Sequence, residues 1–182
     1  ALYIRKGVRL ENLIHGGHQE RGKRPGTENI PGIIGMAKAL ELAVVDMEQY
    51  TGKIKRLRDK AMNLIMERIP HVKLNGPVER RLPGNLNISF RFIEGESLLL
   101  MLDMKGIKAS SGSACSSGSL DPSHVLMAIG LSHEIAHGSL RMSFGEHNTE
   151  DEVYYLVDSL EEIVARLRTM SPLYEDFIKE NK

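Results

Sequence analysis

The chain has a single cysteine, Cys115, which lies in a run of small residues over positions 110–119. A cysteine that serves packing usually has apolar neighbours, since a free thiol behaves as a small hydrophobe. Here the neighbours are serine, glycine and alanine, which cannot form a core and are typical of an exposed, flexible loop. From the residues alone, Cys115 is either a reactive thiol that approaches a bound substrate or an ordinary surface thiol.

A second candidate for chemistry is Arg141. Leu140, Met142 and Phe144 alternate around it, which predicts that Arg141 lies on the non-core face of a strand. A guanidinium in that position can hold a carboxylate through two parallel hydrogen bonds. The pattern alone favours the other interpretation, a solvated arginine at a sheet edge.

A glycine-rich, basic segment over residues 15–29 ends just before a helix predicted to start at Pro31. Backbone N–H groups in such turns and at helix starts bind anions. Together with Thr27 and the basic residues, this composition suits an anion such as phosphate. The signal is weak when it stands alone, because many loops are basic and rich in glycine.

The segment His133–His137 matches the H-E-x-x-H pattern of zinc metalloproteases. In those enzymes two histidines on one helix face bind zinc, and the glutamate activates water. That chemistry needs a stable helix and a third ligand, whereas two glycines bracket this segment closely. Glu146 or His147 could be the third ligand, but nothing in the sequence supports either. We therefore expect His133 and His137 in a turn and on the surface rather than at a zinc site.

Composition excludes several classes of protein. The 182 residues include 24 basic and 24 acidic side chains, a balance that argues against holding nucleic acid or anionic membrane by bulk charge. No apolar run approaches the roughly 20 residues that span a bilayer. The single cysteine excludes an intramolecular disulfide and indicates a reducing compartment, most simply the cytoplasm. Because the chain starts in a strand pattern without Met, we interpret it as a truncated piece of a longer protein.

The hydrophobic pattern predicts the elements that position these residues. A strand over 2–5 is followed by loop over 7–29, and a long apolar stripe predicts a helix over 31–69 that Gly52 could kink. Further elements are a strand over 86–92, a helix over 96–104, a strand over 107–110, a helix over 123–129, a strand through Arg141, a helix behind a capping box of Thr149 and Glu152, and a short helix after Pro172. This order predicts an α+β fold with a small mixed sheet covered by helices.

Taken together, several segments resemble the NifS/IscS-type cysteine desulfurases, pyridoxal 5'-phosphate (PLP) enzymes of the class V aminotransferase family. The resemblance is carried by His15-Gly16-Gly17-His18-Gln19-Glu20-Arg21, Arg24-Pro25-Gly26-Thr27-Glu28-Asn29, Ser111-Gly112-Ser113-Ala114-Cys115, Pro122-Ser123-His124-Val125-Leu126 and Ala136-His137-Gly138-Ser139-Leu140-Arg141. The ending Ser171-Pro172-Leu173-Tyr174 is similar to the family's C-terminal extension. These segments follow the family's order, cover nearly the whole chain and are jointly specific.

The resemblance implies the C-terminal portion of a fold-type I PLP enzyme that works as a homodimer. Such enzymes convert L-cysteine to L-alanine and leave a persulfide on their own cysteine, here Cys115. Arg141 would clamp the substrate carboxylate, and Thr27 would reach across the dimer to the phosphate of the partner's PLP. The sulfur would pass to an iron–sulfur scaffold or a tRNA-thiolation protein, and Cys115 could also ligate a cluster transiently during hand-over.

The resemblance also implies a division of the chain. Residues 1–30 would be a remnant of the PLP-binding large domain, residues 31–69 a connecting helix, and residues 70–182 the small C-terminal domain with the cysteine loop and C-terminal helices. The family's Schiff-base lysine has no counterpart here, so we expect this chain alone to be inactive. The alternatives are a stand-alone sulfur-carrier or interaction module, and a zinc hydrolase that uses His133, Glu134 and His137.

Overall fold

The computed structural model describes residues 1–111 and 122–181. It divides the chain into two compact units, Ala1–Met47 and Glu48–Lys182. In the part of the chain that the structure describes, no helix is both long and apolar enough to span a membrane. The three-part division of the chain that the resemblance implies stays a prediction.

The first unit begins without regular structure. The predicted strand over residues 2–5 is wrong: these residues have no regular secondary structure, and the side chains of Leu2 and Tyr3 are exposed. A strand needs a neighbour to accept and donate its ladder hydrogen bonds, and no described strand pairs with this segment. The loop predicted over residues 7–29 is confirmed apart from one turn, α1 (Gln19–Gly22), whose Glu20 and Arg21 have left-handed φ values of 50° and 58°.

The helix predicted over residues 31–69 is two helices, α2 (Ile30–Val45) and α3 (Met47–Arg68). Asn29 caps α2, because its side-chain oxygen accepts a hydrogen bond from the Gly32 N–H at 3.1 Å. The break falls at Asp46 rather than at Gly52, which lies inside α3. Asp46 follows two valines, and β-branched residues and aspartate are all weak helix formers.

The second unit contains an antiparallel sheet of three strands in the order β1-β2-β3: β1 (Val72–Leu74), β2 (Asn85–Phe90) and β3 (Ser139–Ser143). All pairs of described strands are antiparallel, whereas the sequence predicts a mixed sheet. The strand predicted over residues 107–110 is wrong, since only Ser110 pairs with Arg141 in an isolated bridge. The short strand β1 has no counterpart among the predictions.

Helices α3, α4 (Gly95–Met104) and α7 (Glu150–Thr169) cover the core face of this sheet, which confirms the α+β class. The other described helices of the second unit are α5 (His124–Ala128), α6 (His133–His137) and α8 (Pro172–Glu180). The core joins alternate residues of the sheet to the apolar stripes of α3, α4 and α7: Leu86, Ile88, Phe90, Leu140, Met142, Leu57, Ala61, Ile65, Leu98, Leu102, Val153, Val157 and Leu160. The alternation in β2 and β3 is that of a sheet with one apolar face.

The capping box predicted for α7 is confirmed. The Glu152 N–H donates to the Thr149 hydroxyl at 3.2 Å, and the Thr149 N–H donates to the Glu152 carboxylate at 3.1 Å. The box satisfies two of the N–H groups that a helix start leaves without intrahelical partners. It therefore fixes where α7 begins, shortly after the end of β3.

Candidate active site

Arg141 lies at the centre of β3, on the face opposite the core, as the alternation predicts. Its neighbours Leu140 and Met142 are buried while Arg141 itself is exposed. The backbone N–H of Arg141 donates to the Ser110 carbonyl at 2.7 Å, and the Ser110 N–H donates back to the Arg141 carbonyl at 3.1 Å. One guanidinium nitrogen also donates to the Ser110 hydroxyl at 3.3 Å. Arg141 is thus bonded to the residue where the cysteine-bearing segment starts.

Gly95 lies in close contact with backbone atoms beside Ser111, where the chain enters this segment. A Cβ added to Gly95 would lie 2.7 Å from the His137 carbonyl oxygen, 3.2 Å from the Ser139 carbonyl oxygen and 3.8 Å from the Ser111 Cβ. The start of α4, the end of α6 and the start of β3 therefore meet beside Ser111 at a point where only glycine fits. No local sequence pattern marks Gly95 as a residue that positions this part of the chain.

Cys115 lies outside the described residues, as does the rest of the segment over 112–121. Its assignment as the sulfur acceptor and as a transient cluster ligand therefore stays a prediction. The structure does describe the two ends of the segment, at Ser111 and Pro122.

Thr27 lies in a loop that two side chains hold in place. The Gln19 side-chain oxygen accepts from the Gly26 N–H at 3.1 Å, and one Arg24 nitrogen donates to the carbonyls of Gly26 and Thr27, both at 3.0 Å. Gly26 has a φ of +99°, a conformation that favours glycine. Thr27 is exposed, so its hydroxyl can donate to an oxyanion. Thr27 and Arg141 belong to different compact units, each described by itself.

Thr27 and Arg141, each taken by itself, have side-chain chemistry that suits one part of a PLP site. A threonine hydroxyl suits one phosphate oxygen, and an exposed guanidinium suits the carboxylate of an amino acid substrate. Neither group can form the covalent bond by which a lysine amine holds an aldehyde cofactor. Thr27 therefore suits the phosphate of PLP and Arg141 suits the carboxylate of the substrate. Neither residue suits the reactive carbon of the cofactor.

The H-E-x-x-H segment forms a helix, α6, where the sequence predicts a turn. Ser132 caps it, since its hydroxyl accepts from the Ile135 N–H at 3.4 Å. The rings of His133 and His137 face each other, with centroids 4.5 Å apart. Within residues 1–111 and 122–181, no group of three or more His, Cys, Asp or Glu side chains could hold a metal ion, so neither Glu146 nor His147 completes a zinc hydrolase site.

A second group of interacting side chains surrounds His71, where β1 begins. The ring of His71 packs edge-on against Phe92, Tyr174 and Phe177, with centroids 5.0–6.2 Å apart. Buried Arg168 donates to the His71 carbonyl at 3.2 Å. Burial lowers the pKa of His71, and the charges of Arg168 and Arg91 lower it further. This cluster attaches α8 to the sheet and contains no residue of the candidate site.

Residues 2–156 match the family described as Aminotransferase class-V. The chain is similar to the cysteine desulfurase IscS of Clostridium botulinum strain Hall, with 56% identity over 184 residues that cover 100% of this chain and 46% of that protein. It is 52% identical over 182 residues to the cysteine desulfurase IscS of Dictyoglomus turgidum, with the same coverage of both chains. The chain thus spans less than half the length of these relatives.

Two solved structures are similar to the described fold. A NifS-like protein has a TM-score of 0.77 at 40% identity, over 91% of this chain and 42% of that one. The NifS-like protein of Rickettsia africae has a TM-score of 0.73 at 28% identity, over 86% and 40%. Because the family match covers most of the sequence and the fold agrees with it, this chain belongs to the class-V aminotransferase family.

Proposed function

We propose that this chain is part of a PLP-dependent cysteine desulfurase, which converts L-cysteine to L-alanine and retains the sulfur. The observation that carries the proposal is its 56% identity, over its whole length, to a protein named cysteine desulfurase. The family match supports PLP as the cofactor, which would serve as an electron sink. The assignment of the chain to the C-terminal portion of such an enzyme is part of the proposal.

Cys115 is the sulfur acceptor in this proposal. Its thiolate attacks the sulfur of L-cysteine, so that an S–S bond forms on Cys115 while the substrate's C–S bond breaks. The electron pair of the broken bond stays with the substrate carbon, which takes up a proton and becomes the methyl group of alanine. The enzyme is left with a persulfide, and no external oxidant or reductant is needed.

Arg141 holds the substrate in this proposal. Its exposed guanidinium can bind the carboxylate of L-cysteine through charge-assisted hydrogen bonds. The double hydrogen bond between the backbones of Arg141 and Ser110 supports this role, because it links the strand that binds substrate to the segment that carries Cys115. Thr27, on the loop held by Gln19 and Arg24, would donate to the PLP phosphate of the partner subunit.

The sulfur would leave Cys115 for an acceptor protein, either an iron–sulfur scaffold or a tRNA-thiolation protein, and Cys115 could ligate a cluster transiently during transfer. We place the enzyme in the cytoplasm as a homodimer.

The exposed apolar surface of α2 supports the proposal that a further polypeptide segment packs against this helix. None of its 16 residues is buried, although its sequence is mostly apolar. A helix that is apolar on all sides is typical of one enclosed by other chain segments.

The proposal is tested on the intact polypeptide that carries this chain, incubated with PLP and L-cysteine. Alanine and sulfide should both form, and turnover should vanish in Cys115→Ala while PLP remains bound. Ser113→Ala, two positions away in the same run of small residues, is the matched control and should retain turnover. Undiminished alanine formation in Cys115→Ala would contradict the assignment of the sulfur acceptor.

A further inference from the structure

The proposed function makes no use of the two histidines of α6. His133 and His137 are four residues apart, so they project from the same side of the helix. Their ring centroids are 4.5 Å apart and the ring planes are inclined by 56°. We propose that these two imidazoles bind one divalent transition-metal ion of the copper, nickel or zinc type.

The distance between the rings fits a shared ion. A histidine nitrogen lies about 2.0–2.1 Å from zinc, so two nitrogens in a tetrahedral arrangement around one ion are roughly 3.3 Å apart. The ring centroids of His133 and His137 are 4.5 Å apart, which is close enough for one nitrogen of each ring to approach the same ion. Neutral imidazole is a common protein ligand for copper, nickel and zinc.

The backbone under the pair is held in place while the rings remain reachable. Ala136 is buried, and the Ser132 hydroxyl caps the helix. The His137 carbonyl packs closely against the backbone of Gly95, where a side chain would clash with it. His133 is exposed and His137 is half-buried. Among the described residues, neither histidine has an ion pair or a side-chain hydrogen bond that a metal would have to break. The two ligands are thus presented on a fixed turn, which reduces the entropy lost on binding.

The site would be open rather than closed. In the described part of the chain, no third His, Cys, Asp or Glu joins the pair as a metal ligand, so water would fill the remaining positions. Closed structural zinc sites use four protein ligands, and this site has two. Affinity should therefore follow the general order for divalent ions, with Cu²⁺ bound most tightly, Ni²⁺ and Zn²⁺ less tightly, and Mn²⁺ least.

The test is calorimetric titration of the intact polypeptide with Ni²⁺, in a Cys115→Ala background because thiolates also bind such ions. Loss of an outer-shell partner weakens metal binding roughly 10–100-fold, so losing a direct ligand should weaken it at least tenfold. His133→Ala and His137→Ala should each show this loss, and the double variant should be little worse than either, because one imidazole alone does not chelate. His147→Ala, which removes an exposed histidine elsewhere, should bind as the parent does.

The proposal is overturned if either single variant binds Ni²⁺ within about twofold of the parent, or if His147→Ala loses as much. Folding of each variant is checked by circular dichroism, and His137→Gln replaces His137→Ala if that variant unfolds. Electron paramagnetic resonance with Cu²⁺ gives an independent readout: coupling to two imidazole nitrogens in the parent and to one in His133→Ala. Because the readout is metal binding, its outcome does not depend on whether the protein desulfurates cysteine.

Discussion

At the scale of single residues, the proposed role of Arg141 in binding the substrate has the most direct consequence for catalysis. A hydrogen bond to a charged group contributes about 1.5–3 kcal/mol. Removal of two such bonds to the substrate carboxylate would cost about 3 kcal/mol or more, roughly 100-fold in kcat/KM. We therefore expect Arg141→Ala to lower kcat/KM for L-cysteine by at least that factor, mainly through KM, in steady-state alanine assays of the intact enzyme.

Two variants make this prediction specific. Arg141→Lys should recover part of the loss, since an ammonium keeps the charge but not the paired donors of a guanidinium. Arg166→Ala removes an exposed arginine from α7 and should leave the kinetics unchanged. A parental KM in Arg141→Ala would show that the guanidinium does not bind the substrate.

The sequence predicts Arg141 better than it predicts what surrounds it. The alternation of Leu140 and Met142 is local, so it is sufficient by itself to place Arg141 on the outer face of β3. The pairing of Arg141 with Ser110 and the packing of Gly95 against His137 join residues 31 and 42 positions apart. Such contacts depend on how the elements pack, and no local pattern reports them.

At the scale of elements, the start of α7 depends on the capping box. Thr149→Ala removes the hydroxyl that accepts from the Glu152 N–H and should lower the free energy of unfolding by about 1 kcal/mol. Urea denaturation of the chain should show a lower midpoint with an unchanged slope. Thr149→Ser keeps the acceptor and should stay close to the parent, whereas an equal loss in both variants would argue against the cap.

The attachment of α8 should depend on pH through His71. Burial and two nearby arginines lower the pKa of His71 in the folded chain, so the unfolded chain binds a proton more readily than the folded one. The contribution of neutral His71 to the free energy of unfolding is complete above the ordinary histidine pKa of about 6.5. It is lost as the pH falls towards the lower pKa that His71 has in the folded chain. Between pH 7.5 and 5.5 the chain should therefore lose stability in thermal unfolding.

His71→Asn should lose less stability over this pH range, because asparagine does not titrate and tolerates the left-handed φ of 55° at this position. His147→Asn, at a site 94% exposed, should keep the parent's dependence. Parallel pH curves for the parent and His71→Asn would contradict the assignment.

Each element that the sequence misplaces has its own physical cause. The three-residue strand β1 is too short to show alternation, and residues 2–5 have the composition of a strand but no described partner. The division of the long helix at Asp46 follows from weak local preferences that the continuous apolar stripe conceals. Long periodic segments such as α7 are predicted well, because the spacing of apolar residues within the segment is enough to identify the helix.

At the scale of the whole molecule, the chain spans 46% of its IscS relatives, and the resemblance to the family implies that the Schiff-base lysine has no counterpart in this chain. We expect the chain alone to neither retain PLP covalently nor turn over L-cysteine. Purified chain mixed with PLP and passed through gel filtration should carry no cofactor absorbance, while the intact polypeptide treated in the same way should. Retained absorbance that survives denaturation after borohydride reduction would mean that one of the lysines present here binds the cofactor.

The central claim is that sulfur from L-cysteine is transferred to Cys115, and mass spectrometry tests it most directly. The intact enzyme with PLP is given one equivalent of L-cysteine, alkylated without reductant and digested. We predict that the peptide containing Cys115 gains the mass of one sulfur atom, lost again on reduction, and that alanine appears in equal amount. Alanine formation with an unmodified Cys115 peptide, even at the earliest times, would contradict the account.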